Sequence, residues 1–165
     1  MENRAAKAAP ALVVRRVVRA RRDRVFQAWT DPQMMNKWFF GGVGRAVVTS
    51  DFRVGGEFRN DMRMKPTAGT GGCSDGTKME EEISRVHTGE FLEIVPPEKL
   101  VFTWNSSIVT NSRVTVELKD LGESTEIWIT HDQLETEDLR SKHNGGWTAC
   151  LENLGMFLEN TGASL

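Results

Sequence analysis

A long stretch of helical periodicity lies near the end of this chain, from about Glu137 to Gly162. At about 100° per residue, one side of such a helix collects large apolar side chains and the other collects polar ones. The first side carries Leu139, His143, Trp147, Cys150, Leu151, Leu154, Phe157 and Leu158. Thr136 offers a cap oxygen, and Glu137 and Asp138 suit the positive end of the helix dipole. Gly162 is a typical stop. The pattern therefore predicts one long amphipathic helix.

Most of the preceding chain predicts short strands. Alternation, β-branched residues and turn signals place them at Leu12–Val18, Ala46–Asp51, Glu57–Met64, Glu82–Ile94, Leu100–Ser106, Arg113–Leu118 and Thr125–Asp132. Two short helices are predicted at Arg22–Thr30 and from Pro32 to about Trp38, with Asp31 as the cap of the second. Because strands need cover for an apolar face, we predict an α+β fold. In it, one curved antiparallel sheet is wrapped around the long C-terminal helix.

The length of 165 residues suits one domain. We predict that it spans residues 11–165, after a disordered lead of residues 1–10 that is rich in Ala and charge. The polar, Gly-rich tract Lys65–Lys78 predicts a long loop between two strands. The first residues lack the continuous apolar core of a signal peptide, and no run approaches the ~20 apolar residues of a membrane span. We therefore expect a cytoplasmic protein without a membrane span.

Composition narrows the range of partners. The net charge of −2 exerts no general pull on nucleic acid, so no nucleic-acid partner is expected. The basic run from Arg15 to Arg24 is a local exception, which suits either a solvated strand edge or an acidic partner. Cys73 and Cys150 match no zinc or redox spacing, and no HxH, HExxH or CxxC motif occurs. We expect neither a metal nor another cofactor.

Several segments, taken together, resemble one protein family. They are VFQAWTDP (Val25–Pro32), KWFF (Lys37–Phe40), DFRVGGEFR (Asp51–Arg59), GEFLEIVPPEKLVFTW (Gly89–Trp104) and HNGGW (His143–Trp147). In this order and spacing the chain is similar to the AHSA1-like domains, named after the activator of Hsp90 ATPase homologue 1, within the Bet v 1/START-like (SRPBCC) helix-grip superfamily. The resemblance implies a seven-stranded antiparallel sheet around the C-terminal helix, with two short helices between the first and second strands. Such domains include lipid and hormone binders, polyketide cyclases and co-chaperones, so the family alone does not define a function.

The side chains expected between the sheet and the long helix are mainly aromatic. Five Trp and eight Phe, with no Tyr, supply large flat groups with few polar atoms. The predicted cavity residues are Trp38, Phe58, Met62, Phe91, Trp104, His143, Trp147 and Leu151. Alternation also places Trp128 on the inner face, although a slip of one residue reverses such an assignment. Two interpretations stay open: a filled aromatic core, or an apolar pocket for a small hydrophobic or aromatic molecule.

Arg16, Asp61 and His131 are the candidate polar anchors. Arg16 shares inward parity with its apolar neighbours on the strand. It predicts either an ion pair with a carboxylate such as Glu57, Asp61 or Glu93, or a contact to a ligand carboxylate. For His131, the alternative to an anchor is a strand-end side chain whose hydrogen bonds are already satisfied.

Two further histidines complete the set of titratable candidates. His143 could act as a general base or bind a ligand oxygen, or it could bond a neighbouring backbone carbonyl and help to seat the helix. His87 is expected to be exposed. Nothing in the spacing of the histidines brings them together.

The residues favour a binding module for a small hydrophobic ligand over an enzyme. One alternative is a cyclase- or hydrolase-like enzyme that uses the same cavity, with His143 or His131 paired to Asp61 or Glu93. Another is an Hsp90-type co-chaperone, with a role in the stress response, or a different protein-interaction domain. A homodimer also stays open, because an exposed edge strand or the apolar segment Trp38–Phe40 would gain from cover.

Overall fold

The computed structural model describes residues 10–39, 44–64 and 83–163. Within these ranges the chain forms seven strands in one antiparallel sheet and three helices, which is the predicted α+β class. The strands are β1 (Leu12–Val18), β2 (Gly44–Ser50), β3 (Glu57–Met64), β4 (Ile83–Val95), β5 (Lys99–Trp104), β6 (Ser112–Asp120) and β7 (Thr125–Asp132). The helices are α1 (Arg22–Thr30), α2 (Pro32–Trp38) and α3 (Glu137–Ala163).

Several sequence predictions fall outside the described residues. These are the lead, for residues 1–9, the loop Lys65–Lys78 with Cys73, and Phe40.

Strands β2 to β7 lie side by side in the order of the sequence, and β1 is the exception. The order is β1-β7-β6-β5-β4-β3-β2, so β1 pairs with the last strand and β1 and β2 form the two edges. The two short helices connect these edges, and α3 crosses the inner face of the sheet beside β1. At the crossing, Gly155 lies so near β1 that a Cβ there would be 3.4 Å from Arg16 Nε and 3.5 Å from Val18 Cγ1.

The long helix has the N-cap and the buried side that its sequence predicts. Thr136 Oγ1 accepts a hydrogen bond of 3.1 Å from the Leu139 N–H, which satisfies one of the free donors of the first turn. The buried side consists of Trp147, Cys150, Leu151, Leu154 and Leu158. The helix continues one residue past Gly162, to Ala163. Across the described residues, no helix combines the length and the apolar character that crossing a membrane requires.

The two short helices are held by side-chain hydrogen bonds at both ends of α2. Asp31 Oδ1 caps it, accepting from the Gln33 N–H at 2.9 Å, and the Trp38 indole N–H donates to the Ala28 carbonyl at 3.0 Å. Trp38 and Phe39 are both buried. They therefore offer no surface to a second copy of the chain, and the dimer argument from this apolar segment fails for these two residues.

The ends of two strands, β5 and β6, differ from the predicted ones. β5 ends at Trp104 rather than at Ser106, because the Ser106 N–H turns to donate to the Val109 carbonyl at 2.8 Å. β6 continues to Asp120, two residues beyond the predicted Leu118.

The parity of β7 is the opposite of the one predicted for Trp128. Ile127, Ile129 and His131 point into the core, so Trp128 lies on the outer face and is only half-buried. The Arg15 guanidinium covers it, with the Arg15 Cζ 4.6 Å from the ring centre. Alternation with a period of two residues does not indicate which set of side chains faces inward. In β7 the inward set is the one that buries Ile127 and Ile129.

Candidate functional site

A small cavity lies between the sheet and the two short helices. Six aromatic side chains line it: Trp29, Phe39, Phe58, Phe91, Phe102 and Trp104. The other lining residues are Met35, Val48, Ser50, Asn60 and Leu100. The cavity has a volume of about 30 Å³ and lies within a wider recess of about 380 Å³ that is partly open to solvent. The smaller volume is room for one or two water molecules. None of these lining residues carries a charge.

The cavity contains three of the predicted residues and excludes the others. Phe58, Phe91 and Trp104 line it. Trp38, Met62, Trp147 and Leu151 are buried in the neighbouring core instead, and His143 is half-buried. The site therefore lies under α1 and α2, rather than between the sheet and α3 as the sequence predicts.

Trp147 explains the position of the cavity. Its ring centre is 5.1 Å from that of Trp104, 6.3 Å from that of Trp29 and 6.5 Å from that of Phe39. The indole therefore fills the space next to α3, and the gap that remains lies beyond these three rings, towards β2 and β3.

Four polar atoms in the cavity wall are buried and have no hydrogen-bond partner among the described residues. They are Trp29 Nε1, Ser50 Oγ, Asn60 Oδ1 and Trp104 Nε1. Asn60 is only 1% exposed. Nearly all buried polar groups in proteins are hydrogen-bonded, so four such atoms around one small cavity need an explanation.

Sequence reasoning missed Ser50 and Asn60 as site residues. Asn60 lies between Phe58 and Met62 in the inward phase of β3. A polar residue in the apolar phase of a strand is a signal that could have identified it.

A hydrogen-bond chain fills the neighbouring part of the core. The Trp147 indole N–H donates to His131 Nδ1 at 3.1 Å, and His131 Nε2 is 2.9 Å from Ser112 Oγ. The Ser112 hydroxyl donates its own hydrogen to the Trp104 carbonyl at 2.8 Å. His131 Nε2 must therefore carry the imidazole hydrogen, and Nδ1 must be the acceptor. With both nitrogens engaged, His131 is a satisfied structural residue and has no nitrogen left to anchor a ligand.

The three histidines converge, which their spacing in the sequence does not suggest. His131 and His143 have ring centres 4.8 Å apart, and His87 stacks on Trp104 at 4.6 Å instead of being exposed as predicted. Burial, followed by the charge of nearby His143, lowers the pKa of His131 to about 3. The same two causes, with Arg85 third, lower the pKa of His87 to about 4. Both imidazoles are therefore neutral at physiological pH.

His143 adopts the geometry of a residue that seats its helix. Its Nδ1 lies 2.8 Å from the Leu139 carbonyl oxygen one turn earlier, so Nδ1 carries the hydrogen and donates it. This is the backbone-bonded arrangement that was one of the two expectations from the sequence.

The remaining candidate anchors lie away from the cavity. Asp61 is on the outer face of β3, 3.8 Å from the Arg59 guanidinium, because the inward phase belongs to Asn60 and Met62. Arg16 has the predicted inward parity, but it lies exposed over Gly155 of α3. Glu93 is exposed and pairs with Lys99 at 3.4 Å. Among the described residues, no cluster of three or more His, Cys, Asp or Glu is placed to hold a metal ion.

A sheet of seven antiparallel strands, with one long helix across its inner face and a cavity beside it, defines a helix-grip domain. The chain belongs to the family described as "Activator of Hsp90 ATPase homolog 1-like protein", whose model matches residues 19–159. No curated protein matches the chain.

Several solved structures share the fold. An AHSA1-like protein from Aeromonas hydrophila is 21% identical, with 93% of this chain and 94% of that chain covered and a TM-score of 0.72. An uncharacterised protein from Rhizobium leguminosarum is 24% identical, with 92% and 95% covered and a TM-score of 0.69. CalU16 from Micromonospora echinospora is 25% identical, with 90% of this chain and 75% of that chain covered and a TM-score of 0.65.

Proposed function

We propose that this protein binds a small, mainly apolar molecule in the cavity under α1 and α2. The observation that carries the proposal is the wall of the cavity, where six aromatic rings, from α1, the residue after α2, β3, β4 and β5, meet around one gap. Aromatic walls with a few placed polar groups are typical of ligand sites. A purely structural core would be expected to close such a gap, because interiors are packed to crystal-like density.

The narrowness of the cavity limits what can enter. Room for one or two water molecules does not admit a long acyl chain, so a ring-sized ligand is favoured over a lipid. Even a single ring requires lining side chains to move. Met35 is the one best suited to do so, because it is half-buried, unbranched and located on the short helix α2.

The enzymatic alternative loses the residue pairs on which it depended. Asp61 points away from the cavity and Glu93 is paired with Lys99, so neither meets His131 or His143 inside. Binding without turnover is accordingly the function we propose. A chaperone or other protein partner, a homodimer and a cytoplasmic location stay predictions from the sequence.

The proposal is tested by a substitution in β2 that fills the cavity with a larger side chain. Ser50→Phe places a ring in the gap from the end of β2, and Thr49→Phe, one residue earlier on the exposed face, is the matched control. The protein is titrated with toluene, indole and naphthalene by tryptophan fluorescence, and native mass spectrometry compares it before and after organic extraction.

We expect saturable binding in the wild type and in Thr49→Phe, and none in Ser50→Phe. A single unliganded mass, with no saturable response to any of the three compounds, would show that the cavity is only an imperfection of the core.

A further inference from the structure

The unpartnered polar atoms of the cavity wall specify the hydrogen bonds that an occupant must supply. An indole N–H only donates, so Trp29 Nε1 and Trp104 Nε1 both require acceptor atoms. Asn60 Oδ1 accepts and requires a donor, whereas Ser50 Oγ can serve either way. A ligand without polar atoms would leave all four groups buried and unpaired, at the cost of their lost hydration.

The wall also specifies the charge of the occupant. The described lining residues include no Arg, Lys, His, Asp or Glu. Burying a carboxylate or an ammonium among aromatic rings without a counter-charge is strongly unfavourable. The one cation predicted to hold a ligand carboxylate, Arg16, lies over Gly155 of α3 and is not part of this wall. The occupant should therefore be neutral.

We infer that the ligand class is a small uncharged ring compound that carries both a carbonyl-type acceptor and a hydroxyl donor. This inference rests on the proposed function, because it assumes that the cavity takes a ligand. Water molecules could satisfy the same four atoms, and the experiment has to separate the two occupants.

Three compounds of similar size and different polarity make the test. 4-Hydroxyacetophenone carries a carbonyl and a hydroxyl, 4-ethyltoluene has neither, and 4-hydroxybenzoate is the charged analogue. Binding of each is measured at a pH at which the phenols are neutral, for the wild type and for Ser50→Ala/Asn60→Leu. The matched control is Ser107→Ala/Asn144→Leu, which makes the same two changes at exposed positions.

The five tryptophan indole N–H signals give a direct readout by NMR. The Trp29 and Trp104 signals should shift on addition of 4-hydroxyacetophenone, because their donors become bonded. The Trp38 and Trp147 signals should not, since these donors already bond the Ala28 carbonyl and His131 Nδ1.

We expect 4-hydroxyacetophenone to bind the wild type at least roughly tenfold more tightly than either other compound. Ser50→Ala/Asn60→Leu should lose this preference and still bind 4-ethyltoluene, which also shows that the variant is folded. Equal binding of 4-ethyltoluene by the wild type, or tighter binding of 4-hydroxybenzoate, would overturn the inference and leave the proposed function standing. Binding of none of the three would overturn both, and would assign the polar atoms to bound water.

Discussion

The two halves of the core differ in how completely their polar groups are satisfied. Under α3, the chain Trp147–His131–Ser112 joins the helix to two strands, and each side-chain group in it has a partner. Under α1 and α2, four buried polar atoms face a cavity without a partner among the described residues. Both halves are aromatic and share one sheet. The comparison therefore separates a half whose buried polar groups are hydrogen-bonded from a half that leaves four of them unpaired.

Truncating a buried side chain of α3 should have the largest effect on the free energy of unfolding. Leu154 is completely buried, so Leu154→Ala should lower the free energy of unfolding by about 2–5 kcal/mol through lost burial and a new cavity. Met156→Ala, two residues along on the exposed side, should change it by less than about 0.5 kcal/mol. Urea denaturation measures both. A loss below about 1 kcal/mol for Leu154→Ala would mean that this half is not closely packed. The two halves of the core would then not differ as described.

Removing the imidazole of His131 from the hydrogen-bond chain under α3 should also destabilise the protein. His131→Leu leaves the Trp147 indole N–H without its acceptor and takes the donor from Ser112, at a cost of about 2–3 kcal/mol. Because the orphaned indole causes part of that loss, adding Trp147→Phe should cost less in the His131→Leu background than in the wild type. Strict additivity of the two changes would show that the hydrogen bond contributes nothing to stability.

Acid should weaken the protein through its neutral histidines. Burial, followed by the charge of His143, lowers the pKa of His131 to about 3 and that of His87 to about 4, so the unfolded chain binds protons more readily than the folded protein. Their contribution is complete above pH ~6.5 and is lost as the pH falls towards these values, by at most ~1.4 kcal/mol per pH unit for each histidine.

The measurement for this prediction is the free energy of unfolding as a function of pH. His87→Gln should give a shallower slope below pH ~6.5 than the wild type, because one of the two groups is removed. Identical slopes would mean that His87 is protonated as readily in the folded protein as in the unfolded chain.

A substitution in the cavity half should have the smallest effect, and it should raise the free energy of unfolding rather than lower it. Asn60→Leu replaces a buried amide, whose oxygen has no hydrogen-bond partner among the described residues, by an apolar side chain of similar size. It should raise the free energy of unfolding by about 0.5–1 kcal/mol. Asn144→Leu on the exposed face of α3 serves as the control, with an expected change within about 0.5 kcal/mol. A clear destabilisation by Asn60→Leu would show that the amide is already satisfied, and the two halves would no longer differ in kind.

The helices and strands of this fold can be predicted from local sequence patterns. Apolar side chains at helical spacing predict α3 and its buried side, and Thr136 caps it as its residue type suggests. The strands Leu12–Val18, Glu57–Met64 and Thr125–Asp132 have the predicted bounds. These features depend on the periodicity of neighbouring residues and on local capping, which a single chain displays without reference to its partners.

Which residues meet in the core depends on long-range packing. Trp128 lies outside and Asn60 inside, because the phase of a strand is chosen by the burial of all its neighbours and not by alternation itself. His87 from β4 and His131 from β7 both contact Trp104, and His143 from α3 contacts His131, although the three histidines do not follow one another along the chain. The position of the cavity follows from how far the Trp147 ring reaches towards Trp104. That distance depends on the packing of a helix against a strand more than forty residues away in sequence, and no local pattern encodes it.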